Sequence, residues 1–233
     1  MEIKNKLLKG QNKRWLIVSF FISIVLLLPL IFLFSNVFNI EKSEFSYLWN
    51  TLLLDYSLNT LYLVFLTGSF SLIFGIIPAW FISNYNFRLR KFFDIALYLP
   101  LAIPTYIMAF TYSDILSFTG PIQSFLRKTS PNLAELVNKD YLQIEILGII
   151  LGLALYPYIY TACRLSFSLI GSSYINMSKN LGLSGTRLFF KVILPLSKPA
   201  IFSGLFLVIM EVLNEYGAVK YFGVNTYTTG IFR

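Results

Sequence analysis

Carboxylates stand where a membrane-length run should be apolar. Glu211, Asn214 and Glu215 fall at i, i+3 and i+4, so a helix would carry them on one face. A charge near the centre of a membrane helix costs roughly 2.5–3.5 kcal/mol on insertion scales, so it faces a cavity or a partner. Two readings fit: a polar stripe along a path, with Glu211 near mid-helix, or helix–helix hydrogen bonding with Glu215 close to a membrane surface. Asp114 lies near the end of an earlier run, either exposed at the interface or placed at a gate. Tyr156, Tyr158 and Tyr160 around Pro157 form either a helix break beside water or an interfacial aromatic belt. Asp94, among basic residues, reads as a local charge partner.

Catalytic chemistry finds little to work with. The chain has no histidine, which removes imidazole acid–base and metal chemistry. Its one cysteine, Cys163, allows no intrachain disulfide or multi-cysteine metal site and reads as a small packing residue. No Gly-x-x-x-x-Gly-Lys-Ser/Thr loop is present to cradle a nucleotide. We therefore assign no catalytic residue, no metal ligand and no cofactor.

The elements that must position these residues are long and greasy. Of 233 residues 56% are hydrophobic and 18% aromatic, and mean hydropathy is +0.68. Charged residues make up 13%, about half the share typical of soluble domains. These values imply an all-α, polytopic bundle in lipid with about five spans, near 15–36, 58–83, 92–117, 144–162 and 200–221. Pro100 and Pro104 should kink or break the third span, and Tyr156-Pro157-Tyr158 should interrupt the fourth. The first run is too long for a signal-peptide core and no small-x-small cleavage site follows it, so it reads as an uncleaved helix. No repeat or linker divides residues 1–233, which read as one membrane domain.

Basic residues set the orientation. The net charge of +8 could point to nucleic acid, but the cations cluster between apolar runs and not on one amphipathic face. Lys4, Lys6, Lys9, Lys13 and Arg14 precede the first span, and Arg88, Arg90 and Lys91 follow the second. Segments 1–14, 84–91 and 163–199 together hold thirteen Lys and Arg, against four in 37–57 and 118–142. The positive-inside rule then places the N-terminus and the 163–199 segment in the cytoplasm, and Glu41, Glu44 and Asp55 outside.

That cytoplasmic segment contains an elbow at about 174–199. A short helix should stop at Gly182, where glycine takes a left-handed conformation, and Ser184 should cap a second helix. Leu188 and Val192 share one face of that helix, and Arg187 and Lys191 another. Pro195 should close it, and Pro199 suits the first turn of the apolar helix that follows.

The elbow resembles the coupling loop of ABC importer permeases, whose pattern is Glu-Ala-Ala, three residues, Gly, nine residues, an aliphatic residue, one residue, Leu-Pro. Gly182, Val192 and Leu194-Pro195 match the spacing, while Asn176-Met177-Ser178 replaces the triplet. Leu58-Asn59-Thr60-Leu61 is similar to the opening of the conserved core of that superfamily. The runs 99–104, 211–217 and 221–233 look like its iron(III) branch, in which one polypeptide usually carries two halves of about six helices. The chain is similar to the first half without its sixth helix, so it should continue beyond Arg233.

The resemblance implies the type I permease fold and a multi-pass location in the cell inner membrane. It also implies four kinds of partner: ABC ATPase subunits gripping the elbow, an extracytoplasmic solute-binding protein, a second permease half, and membrane lipid. No nucleic acid is expected. The elbow residues expected to couple are Asn176, Gly182, Leu188, Val192 and Pro195, with docking through the apolar face at Leu181, Leu188 and Val192. The path candidates are Glu211, Asn214, Glu215, Asp114 and Tyr156. The cargo implied is iron(III), with sulfate, thiamine and polyamines as alternatives sharing the elbow. A secondary transporter without an ATPase, or an inactive gene fragment, are the competing classes.

Overall fold

The structure, a computed structural model, describes residues 12–37, 46, 49, 51–137, 140–170 and 172–232, and among these there are helices and loops but no strand. Glu2, Lys4, Lys6, Lys9, Glu41 and Glu44 lie outside the described residues. The chain forms two compact units, residues 1–53 and 54–233.

The first unit contains α1 (Asn12–Val37), whose apolar stretch Trp15–Ser35 is exposed throughout. Twenty-one residues at about 1.5 Å each match a hydrocarbon layer. Apolar all round, it is built for lipid or for another apolar surface.

In the second unit the core sits on α7 (Ile144–Leu169), which buries Leu147, Leu151, Ile159, Tyr160 and Cys163. The long α2 (Leu53–Asn84) lies along it and turns Thr67, Ser71, Gly75 and Ala79 inward. Small residues let the backbones approach in lipid, where apolar surface alone gives helices no reason to associate. At Gly152 a Cβ would come within 2.6 Å of Phe70 Cβ. At Gly204, on α11 (Lys198–Asn214), it would come within 2.8 Å of the Ile159 Cα. Glycine is thus what allows α7 to meet helices on two sides.

The third apolar stretch is broken, and proline explains where. It comprises α3 (Arg90–Ala96), a 3-10 turn (Leu99–Ala102) and α4 (Thr105–Leu116). Pro104 forces the preceding Ile103 out of the helical region, to φ −106 and ψ 121. A hairpin of α5 (Pro121–Thr129) and α6 (Pro131–Val137) follows, and the path from α3 through α5 bends by 97°.

Two expectations need correction. The fourth helix is not interrupted at Tyr156-Pro157-Tyr158; α7 runs through Pro157 and on to Leu169. Pro157 cannot donate to the Leu153 carbonyl, but a membrane bundle tolerates that single lost bond where the helix is packed inside protein, and Pro157 is buried in the core. The fifth helix does not reach Tyr221: α11 stops at Asn214, and α12 (Gly217–Tyr221) and α13 (Tyr227–Ile231) are separate short turns. Among the described residues three helices are long and apolar enough to span a membrane, or five if each of two bent pairs counts as one span.

Candidate coupling elbow and polar face

The elbow begins with α8 (Ser172–Asn180), which ends in a Schellman turn. The Leu183 N–H reaches the Ser178 carbonyl at 3.0 Å, and the Gly182 N–H reaches that of Lys179 at 2.9 Å. Gly182 has φ +82, which a side chain would strain. Ser184 does occupy the N-cap of α9 (Gly185–Leu188), but its hydroxyl makes no capping bond. Its backbone carbonyl accepts from the Arg187 N–H at 3.2 Å instead.

Pro195 does not end this helix. The helix widens into a π turn over Phe189–Ile193 and continues as α10 (Leu194–Leu196). A wider turn relieves the clash a proline ring makes with the preceding α-helical turn. The sharp change comes after it, where the 185–196 stretch meets α11 at 71°. Buried Ser197 sits at this corner and accepts from Ser166 Oγ of α7 at 2.9 Å. Pro199 stands second in α11, where its missing N–H costs nothing.

The elbow's two faces have different partners. Leu188 is buried and Val192 half-buried against the core, so they fasten the elbow to its own bundle. The expected docking face of Leu181, Leu188 and Val192 therefore does not form as one surface. Leu181 is 78% exposed, and Met177, Phe190, Asn176, Arg187, Lys191 and Pro195 are exposed too. An anchor that residue spacing did not suggest is aromatic. Phe189 lies 4.8 Å, centroid to centroid, from Trp80 of α2 and 6.2 Å from Phe167 of α7. Only the presence of large aromatics near the ends of two helices hinted at it.

The polar residues of α11 do not stay together. Glu211, in the last turn of α11 and not at mid-helix, accepts from the Tyr158 hydroxyl at 2.9 Å. Asn214 Nδ2 donates to the Met210 carbonyl at 2.9 Å. Glu215 leaves the helix at φ −70 and ψ 116, and its carboxylate works inside the fold. It accepts from the Ala218 N–H at 2.8 Å, tying down the start of α12, and from the Thr105 hydroxyl of α4. Tyr156 is buried in the core with its ring 6.5 Å from Phe74. Asp114 is exposed in a separate cleft of about 270 Å³, with Asp140, Tyr141 and Tyr221 among its walls. Among the described residues no three of the Asp, Glu and Cys side chains gather closely enough to hold a metal ion.

Near the elbow's end of α7 lies a polar cluster that the sequence only half disclosed. Asp94 of α3 pairs with Arg164 of α7 at 3.3 Å and accepts from the Tyr160 hydroxyl. Arg164 also reaches Ser83 of α2 at 3.5 Å, so three helices meet at one guanidinium. Asp94 was legible as a charge partner, but Arg164 is seventy residues away in the chain and no local signal pairs them.

Comparison with known proteins adds a family and several relatives. Residues 71–231 match the family described as binding-protein-dependent transport system inner membrane component. The sulfate transport system permease protein CysT of Salmonella typhimurium is 26% identical over 210 residues, covering 88% of this chain and 72% of that protein. The Escherichia coli CysT is also 26% identical over 210 residues, with the same shares covered. The Fe(3+)-transport system permease protein FbpB 2 of Haemophilus influenzae is 29% identical over 166 residues, 71% of this chain and 28% of that protein.

Proposed function

From the premise that this chain belongs to the binding-protein-dependent transport system inner membrane component family, we propose that it is a membrane-spanning permease subunit of an ABC importer. ATP is hydrolysed by a separate ATPase subunit, a binding protein delivers the cargo from outside, and a second permease half completes the path. The observation that carries this reading is the elbow. A Schellman turn at Gly182 and a 71° corner at Ser197 shape the elbow between two apolar helices, with Trp80, Phe167 and Phe189 packed together at its base. Such a part transmits motion because Leu188 and Val192 fix it to the bundle while Met177, Leu181 and Phe190 are exposed and free to bind. Asn176, Gly182, Leu188, Val192 and Pro195 make the coupling loop in this reading, Leu188 and Val192 from within.

The N-terminus and the elbow are cytoplasmic in this proposal, on the count of basic residues. The cargo we infer is iron(III), from the resemblance of 99–104, 211–217 and 221–233 to that branch and from the Fe(3+) relative. Sulfate is the second reading, favoured by the sulfate permeases that match 88% of the chain. Co-expression with the completing half and candidate ATPase subunits tests the machinery first. Failure of any ATPase subunit to co-purify would overturn the importer reading. ATP-dependent uptake of labelled iron(III) or sulfate into proteoliposomes supplied with binding protein then separates the cargoes.

A further inference from the structure

A cleft of about 760 Å³ opens between the α2–α3 turn and α7, at the elbow's end of the bundle. Arg90, Lys91 and Arg164 line it against a single carboxylate, Asp94. That carboxylate is already engaged by Arg164 and by Tyr160, which leaves two positive charges uncompensated. Arg90 spends one donor on Asn86 Oδ1 at 2.6 Å and keeps others free. Lys91 is exposed and, among the described residues, has neither a hydrogen bond nor an ion pair. The cations share their rim with exposed apolar side chains, Phe87, Leu89 and Phe92. Leu89 is itself unusual: at φ +68 it is the one non-glycine residue with positive φ among those described, and it turns the chain so that Arg90 and Lys91 follow at the cleft.

We propose that this cleft binds the phosphodiester headgroup of an anionic phospholipid. Its cations suit a phosphate oxyanion, and the aromatic and leucine rim suits the attached acyl chains. A water-soluble anion would leave that rim uncovered. The placement in the inner leaflet, where acidic lipids attract juxtamembrane cations, rests on the cytoplasmic orientation proposed above. Bound there, the lipid bridges α3 to α7 beside the Asp94–Arg164 pair.

Native mass spectrometry of the purified chain, titrated with phosphatidylglycerol and with phosphatidylcholine, tests the proposal. The wild type should retain phosphatidylglycerol preferentially. Arg90→Gln and Lys91→Gln should each reduce that preference about fivefold, and Arg88→Gln, whose residue does not line the cleft, should reduce it less. Equal retention of the two lipids by the wild type would overturn the proposal, as would a preference unchanged in an Arg90→Gln/Lys91→Gln variant of wild-type helix content. Displacement of phosphatidylglycerol by millimolar inorganic phosphate would show a free-phosphate site and overturn the lipid assignment. Orientation is read separately, by labelling an Arg88→Cys variant in a Cys163→Ser background with a membrane-impermeant thiol reagent. Labelling from the outside only would overturn the inner-leaflet placement while leaving the headgroup result intact.

Discussion

Replacing Gly182 by valine strains the elbow's backbone. A Cβ at this position would meet no atom within 4 Å, so the cost lies chiefly in the backbone. At φ +82 an L-residue loses about 1–2 kcal/mol relative to glycine, and a β-branched side chain falls at the upper end. Asparagine tolerates this region better and should cost only a fraction of that. If the ATPase subunit binds only the intact turn, its affinity for Gly182→Val falls by up to about five- to thirtyfold. Gly182→Asn should remain within a few-fold of wild type. Titrating a labelled ATPase subunit onto each variant in lipid nanodiscs measures the ratio, with a thermal melt to show the bundle intact. Equal affinity for glycine, asparagine and valine would refute the claim that the turn's shape is what the ATPase reads.

Three further outcomes follow from the packing. Gly204→Val drives a Cβ into the Ile159 backbone, which cannot rotate away, and should cost about 1–3 kcal/mol, seen as a lower melting midpoint in detergent. Glu215→Gln removes the charge from bonds to Ala218 N–H and the Thr105 hydroxyl. It should therefore cost about 1–2 kcal/mol in the same melt, whether or not uptake changes. A double-mutant cycle of Asp94→Asn and Arg164→Gln should give a coupling energy of about 1 kcal/mol, discounted because the two side chains are 31% and 22% exposed; a value near zero would make the pair incidental.

Where a residue's own backbone chemistry decides, the sequence was legible. Gly182 marked a helix stop, Pro104 a break and Pro199 a first turn, because each acts within a residue or two of itself. Pro157 and Pro195 show the limit of that logic. Both sit inside continuing helical segments, one buried in the core and the other after a π turn, and neither setting is encoded by the proline. Periodicity placed Glu211 and Glu215 on one face, but Glu215 leaves the helix to cap the next, so the face never forms. Long-range partners stayed hidden: Arg164 for Asp94, Phe74 for Tyr156, and Trp80 for Phe189 are brought together only by helix crossings. Burial of Leu188 was likewise invisible, since an apolar stripe looks the same whether it faces its own bundle or a partner.

A cross-link decides between a coupling elbow and an ordinary turn. Leu181→Cys, at a position 78% exposed, would be placed in a Cys163→Ser background together with the completing half and the ATPase subunit. Phe118→Cys, 59% exposed and near the opposite end of the bundle, serves as the control. A short bifunctional thiol reagent should join Leu181→Cys to an ATPase subunit, with a yield that changes on adding ATP, and should leave Phe118→Cys free. No cross-link from Leu181→Cys in an assembled, hydrolysing complex would contradict the proposed docking of the ATPase at this elbow.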